Sequence, residues 1–205
     1  MQLVVERLTG SVAQDAYTNA AMEHGTLYEP DARAAFQAVS GETVEESGFW
    51  YHDDRMVGAS LDGHIRRGDR EVAEIVEIKC PYKTVHHLTT LREGVVPSQY
   101  VAQVTHQLWV TGADRVHFVS YDPRLPAKLQ VAWVQQDRDE AAIQAYAQQV
   151  EAFLAEVDAE VAAWAAWETS DASCWAQSTM PASTCSMGRL TPMRPVEATK
   201  AYPAG

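Results

Sequence analysis

Two periods of apolar residues run along this chain. From residue 73 to 79 it reads Ala-Glu-Ile-Val-Glu-Ile-Lys, a strand pattern. Side chains alternate faces along a strand, so Glu77 and Lys79 project to one side while Val76 and Ile78 go to the other. Further strands are predicted over 49–51, 56–61, 116–121 and 129–135, with turns at Asp53-Asp54 and Asp122-Pro123-Arg124 and a polar loop over 63–70. The helical period marks the remaining segments. Residues 11–24 are capped by Ser11, carry Val12, Ala16 and Ala20 near helical spacing, and close at Gly25. Residues 27–39 hold Pro30 in their first turn, where its missing N–H is harmless, and stop at Gly41. A helix over 82–93 follows the break at Pro81, and the clearest helix spans 97–110 with Val101, Val104, Thr105 and Leu108 in one stripe. Tyr100, Gln103 and Gln107 form a second, polar stripe on that helix. A long alanine-rich helix over 140–167 closes the pattern. This order predicts an α/β domain, a central mixed sheet flanked by helices. Beyond residue 170, Ser, Thr, Pro and Met without periodicity predict a mostly disordered tail.

Candidate chemistry concentrates between Gly58 and Lys79. Asp62 ends the run 56–61, and antiparallel pairing of that run with 73–79 would bring it across to Glu77. Two carboxylates and a lysine at one point suit metal-assisted phosphodiester hydrolysis. Hard oxygens hold Mg²⁺ or Mn²⁺, and the lysine stands where a water must be positioned. An Asp followed later by Glu-x-Lys also arises by chance on solvated strands. Here Ile75, Val76 and Ile78 surround the charges, and a buried charge requires a partner or a metal. Glu29 reads either as a carboxylate placed at a helix start or as an acid beside this site. His106 lacks a carboxylate at metal-ligand spacing and reads as a packing residue.

Composition narrows the class. The chain has 205 residues, enough for one domain with a substantial core, and no apolar run approaches the roughly 20 residues of a membrane-spanning helix. Three cysteines without a CxxC give no disulfide framework and too few thiolates for an iron–sulfur cluster, so a reducing cytoplasm is expected. The net charge of −12 is awkward for a protein of nucleic acids, but it is unevenly placed. Residues 137–168 carry eight acids against Arg138 alone. Arg66, Arg67 and Arg70, with Lys79, Lys83 and Arg92, form the basic concentration, expected beside the carboxylates and suited to DNA phosphates.

The strings SLDG, EIKCP, YVAQVTHQLWVTG and YDPR, collinear from about His24 to Trp164, resemble the PD-(D/E)xK nucleases of the phage recombinase type, the YqaJ-like, lambda-exonuclease-like family. The resemblance implies a restriction-endonuclease-like core over residues 1–169. It implies two Mg²⁺ ions per site, with Asp62 bridging both and Glu77 and the Ile78 carbonyl on one. Glu29 would lie near the metals, Lys79 would orient the attacking water, and Gln103 and Tyr100 would contact the scissile phosphate or its water. It further implies 5′→3′ degradation of one strand from duplex DNA ends, a ring-shaped homotrimer, a phage single-strand annealing protein as partner, and a phage or prophage origin in a bacterial cytoplasm. Two departures stand out. Leu61 replaces the usual proline before the aspartate, and no arginine in a Gly-x-Thr-x-Ser context precedes the domain, where family members hold the 5′-phosphate. The second departure is compatible with a start set too late, a truncated DNA-end-binding remnant, or another arginine in that task. An endonuclease on the same core is the alternative activity.

Overall fold

The computed structural model describes residues 1–12 and 19–170, with side chains to residue 166. The chain order is α1 (Gln2–Thr9), α2 (Ala20–Ser40), β1 (Phe49–Tyr51), β2 (Gly58–Ser60), β3 (Gly63–Arg67), β4 (Arg70–Lys79), α3 (Thr84–Glu93), α4 (Ser98–Thr111), β5 (Arg115–Tyr121), β6 (Val131–Asp137) and α5 (Glu140–Ser170). Strands β3-β4-β5-β6 form a mixed sheet, parallel between β4 and β5 and antiparallel at both outer pairs. The expected α/β class, a central mixed sheet flanked by helices, is what the chain adopts. Two units divide it, Met1–Val161 and Ala162–Gly205, and all the elements up to β6 belong to the first. Among the described residues no helix is long and apolar enough to cross a membrane. The expected tail lies outside the described residues, apart from its first residue, Ser170, which ends α5.

The alternation along β4 sorts the core into two layers. Val76 and Ile78 join Val119 and Tyr121 against Ala32 and Phe36 of α2. Ile75, with Val116 and Phe118, packs against Val104 and Leu108 of α4. Glu77 therefore points into the layer under α4, not to solvent, and is 1% exposed. Burying a carboxylate there is tolerable only with donors gathered around it.

Several expectations in the first half of the chain are corrected. Ser11 and Val12 are not helical, and residues 13–18 of the helix expected over 11–24 lie outside the described residues. Helix α2 starts at Ala20, where the Asn19 side chain accepts hydrogen bonds from the N–H groups of Ala21 and Met22. Gly25 does not end it, and Pro30 lies in the helix interior rather than a first turn. A glycine costs about 1 kcal/mol in a helix and a proline more, and buried Ala32 and Phe36 anchor α2 to the sheet. Lastly, residues 63–67, expected as loop, form β3. His64 and Ile65 are buried, and Gly68, with φ 57°, makes the tight turn into β4. The strand pairing with β4 is thus β3, whereas β2 pairs with β1. Helix α1 has no counterpart among the predicted elements; the other strands and helices fall within a few residues of their predicted positions.

Candidate active site

The register Gly63↔Val76 sets the carboxylates face to face, because one step further along both strands lie Asp62 and Glu77. Glycine is required at 63. A Cβ there would lie 2.5 Å from Val44 Cγ1, so any side chain would push the chain off its neighbour. Asp62 stands just before β3, and its Oδ2 accepts the Ile78 N–H at 2.8 Å. That bond continues the β3–β4 pairing through a side chain and fixes the aspartate. Its carbonyl accepts from Arg33 Nη2 at 3.0 Å.

Glu77 is held by both oxygens. Oε1 accepts from Lys79 Nζ and from Gln103 Nε2, the latter at 2.7 Å, and Oε2 accepts from Gln107 Nε2 at 2.6 Å. Burial, then the nearby Asp62 charge, pushes the Glu77 carboxyl above the ordinary range. Burial alone would lower the Lys79 ammonium, but the charge and hydrogen bond of Glu77 outweigh it and hold it above its usual value. The ammonium also sits 5.3 Å from the centre of the Tyr100 ring, a cation–π distance. Tyr100 in turn packs on Phe118.

Glu29 is mid-helix, which removes its reading as a helix-start carboxylate. It accepts from Arg33 Nη2 at 2.9 Å, and burial followed by the Asp62 charge raises its pKa. Arg33 also reaches Glu46 at 2.6 Å, so its guanidinium is committed. The structure thus brings Asp62, Glu77, Ile78, Lys79, Tyr100 and Gln103 together, with Glu29 at the edge near Asp62. Gln107 was placed on the polar stripe without a role, and it is 2% exposed and bound to Glu77. Its signal was the spacing of four from Gln103, which puts both amides on one face of α4.

Arg66, Arg67 and Arg70 are not beside the carboxylates. They cluster about the β3–β4 turn, and Arg70 opens the strand that Lys79 closes, roughly 30 Å away along an extended chain. Each is paired with acids: Arg66 with Glu45 and Glu71, Arg67 with Glu42 and Glu74, Arg70 with Asp114. Strand polarity decides this, because a hairpin's turn is at the opposite end from its open mouth. Lys83 does lie near the site, in a cleft of about 420 Å³ with Lys79, Pro81, Tyr82, His86 and Tyr100. The loop forming that cleft is fixed from below. Arg124, bound by the buried Asp122, donates to the carbonyls of Pro81 and Tyr82. Cys80 is buried, which pushes its thiol up to about 12. His106 bonds the Gly58 carbonyl and the Tyr146 hydroxyl, a packing role as expected.

Among the described residues no three His, Cys, Asp or Glu side chains converge as a ready cage for a metal ion. Mg²⁺ does not need one, since it binds through one or two carboxylates and keeps several waters. Asp62 and Glu77 fit it. A divalent ion would relieve a buried acid that its neighbour makes costly to ionise.

Paired carboxylates, one before β3 and one on β4, with a lysine two residues on, make up the polar site of a nuclease. The YqaJ-like viral recombinase domain matches residues 1–114, and the chain belongs to that family. It is similar to an alkaline exonuclease, LHK-Exo, from Laribacter hongkongensis, at 38% identity, with 82% of each chain covered and a TM-score of 0.73. The structure of LHK-Exo in complex with dAMP matches at 37% identity with the same coverage and TM-score. No curated protein matches the chain.

Proposed function

We propose that this chain is a Mg²⁺-dependent exodeoxyribonuclease (Mn²⁺ substituting) that degrades one strand of duplex DNA 5′→3′ from an end. It leaves a 3′ single strand for a phage-type annealing protein. The observation that carries this reading is the buried Glu77, held opposite Asp62 with Lys79 on its carboxylate. Similarity to an alkaline exonuclease supports the substrate and the end-directed mode.

Asp62, Glu77 and the Ile78 carbonyl would hold two Mg²⁺ ions, with Glu29 behind them, and the bound ions would supply Lewis acidity and charge neutralisation at the phosphate. Lys79 orients the attacking water and offsets charge on the phosphoryl oxygens. Gln103 holds the shared Glu77 oxygen, and Tyr100 forms the wall on which Lys79 rests. Water attacks phosphorus, the P–O3′ bond breaks, and the departing oxygen takes a proton. The DNA end reaches the site along the cleft of Lys83, His86 and Tyr82. Helices α3 and α4 start there without side-chain caps, and the positive ends of their dipoles favour an anion. A homotrimeric ring would keep the duplex threaded and the digestion processive.

Linear and covalently closed duplexes, incubated with Mg²⁺ and with a chelator, test the reading. Only the linear DNA should be degraded, only with metal, and a 3′-end label should persist longer than a 5′-end label. Nicking of closed circles would instead indicate an endonuclease, and inert substrates a DNA-binding remnant.

A further inference from the structure

We infer that Gln107 is a positioning residue whose amide fixes the Glu77 carboxylate for metal binding, an inference that rests on the nuclease reading. Gln107 Nε2 donates to two acceptors, Glu77 Oε2 at 2.6 Å and the Ser60 carbonyl at 3.2 Å. Both acceptors are oxygens, so the amide can present only its NH₂ there. The reverse orientation would set oxygen against oxygen. The same group therefore ties β4, which carries Glu77, to the end of β2, two residues before Asp62. It sets the spacing of the two carboxylates as well as the orientation of one.

Hydrogen-bond capacity shows what Gln107 adds. Lys79 and Gln103 both occupy Oε1. Held at that oxygen alone, the carboxylate could still turn about its terminal bond. Gln107 stops that rotation from the other oxygen. Each carboxylate oxygen has two acceptor positions, and the single donor on Oε2 leaves one of them uncommitted for a cation.

Packing alone does not account for a glutamine here. Its neighbours in the α4 layer, Val104, Leu108 and Val110, are apolar, and its own Oε1 is buried with no hydrogen-bond partner. An orphaned buried acceptor is a penalty that leucine or methionine at this position would not carry. The two Nε2 contacts offset that penalty, and both lead to the site.

Gln107→Met tests the inference, since it keeps the length and removes the donor. Three quantities are measured: Mg²⁺ and Mn²⁺ affinity by calorimetry without DNA, the Mg²⁺ concentration for half-maximal cleavage, and KM for DNA ends. Loss of a partner that orients a metal ligand weakens metal binding by on the order of ten- to a hundredfold. Both metal measurements should shift by a common factor in that range, with KM unchanged and cleavage recovering at high Mg²⁺. A packing defect would not be rescued by metal in this way. Gln107→Asn, which withdraws the donor by one methylene, serves if the first variant does not fold. Wild-type metal affinity in either folded variant overturns the inference, as does failure of both to fold or a wild-type chain that binds no divalent ion. A wild-type chain that binds metal but cuts no DNA sinks the nuclease reading, while calorimetry still decides the role of Gln107.

Discussion

Lys79 and Gln103 share one oxygen of Glu77, so substitutions around that carboxylate have unequal costs. Asp62→Ala and Glu77→Ala should each abolish Mg²⁺-dependent cleavage, read as nucleotide release from linear duplex. Glu77→Ala should also lower the melting temperature, because Lys79, Gln103 and Gln107 lose their acceptor inside the protein. Unsatisfied buried donors cost about 1–3 kcal/mol each. Lys79→Met is expected to remove cleavage yet leave calorimetric Mg²⁺ affinity within a few-fold of the parent, since the task proposed for the lysine is with water and phosphate. Metal binding lost with the lysine would assign it to the ion instead.

At the scale of elements, two devices hold the site. Asp122, at the end of β5, is held down to about 2 by its hydrogen bond to Arg124, the residue that grips the carbonyls after β4. A depressed carboxyl contributes stability that is complete above its ordinary pKa near 4 and is lost as pH falls through about 2. With Arg124 half-exposed, that contribution is on the order of 1 kcal/mol after screening. Asp122→Asn should therefore melt lower than the parent at neutral pH, and the gap should close towards pH 2. A gap that persists there would mean that shape, not charge, holds the loop. Helix α2 offers the opposite test. Nothing lies within 4 Å of a Cβ built at Gly25, so Gly25→Ala should stabilise by roughly 0.5–1 kcal/mol in denaturant titration without changing cleavage.

For the whole molecule, charge placement bears on how DNA ends would be recognised. Arg33, Arg66, Arg67 and Arg70 are each engaged with acids, whereas Lys83, in the cleft, forms no salt bridge among the described residues. A flexible lysine binds phosphate as a point charge and lacks the fork of a guanidinium. The expected rate ratio between otherwise identical duplexes with a 5′-phosphate and a 5′-hydroxyl is below about ten, or roughly 1.4 kcal/mol. A larger ratio would show a phosphate clamp that these residues do not form.

Local pattern alone determined much of this protein. Alternation in 73–79 placed Glu77 and Lys79 on one face, helical spacing placed Gln103 and Gln107 together, and their order set the α/β class. Those properties depend on periods of two and 3.6 residues, which a sequence displays directly. Tertiary structure alone decided the rest. Which strand pairs with β4, which end of the hairpin faces the site, and which arginines are spent on acids all depend on distant partners. Polar residues 63–67 form a strand because Val44, Val76 and Glu45 lie against them. Gly25 and Pro30 stay helical because Ala32 and Phe36 are pinned beneath the sheet. Gln107 gained a role only when folding set a buried carboxylate and the Ser60 carbonyl within reach of one amide.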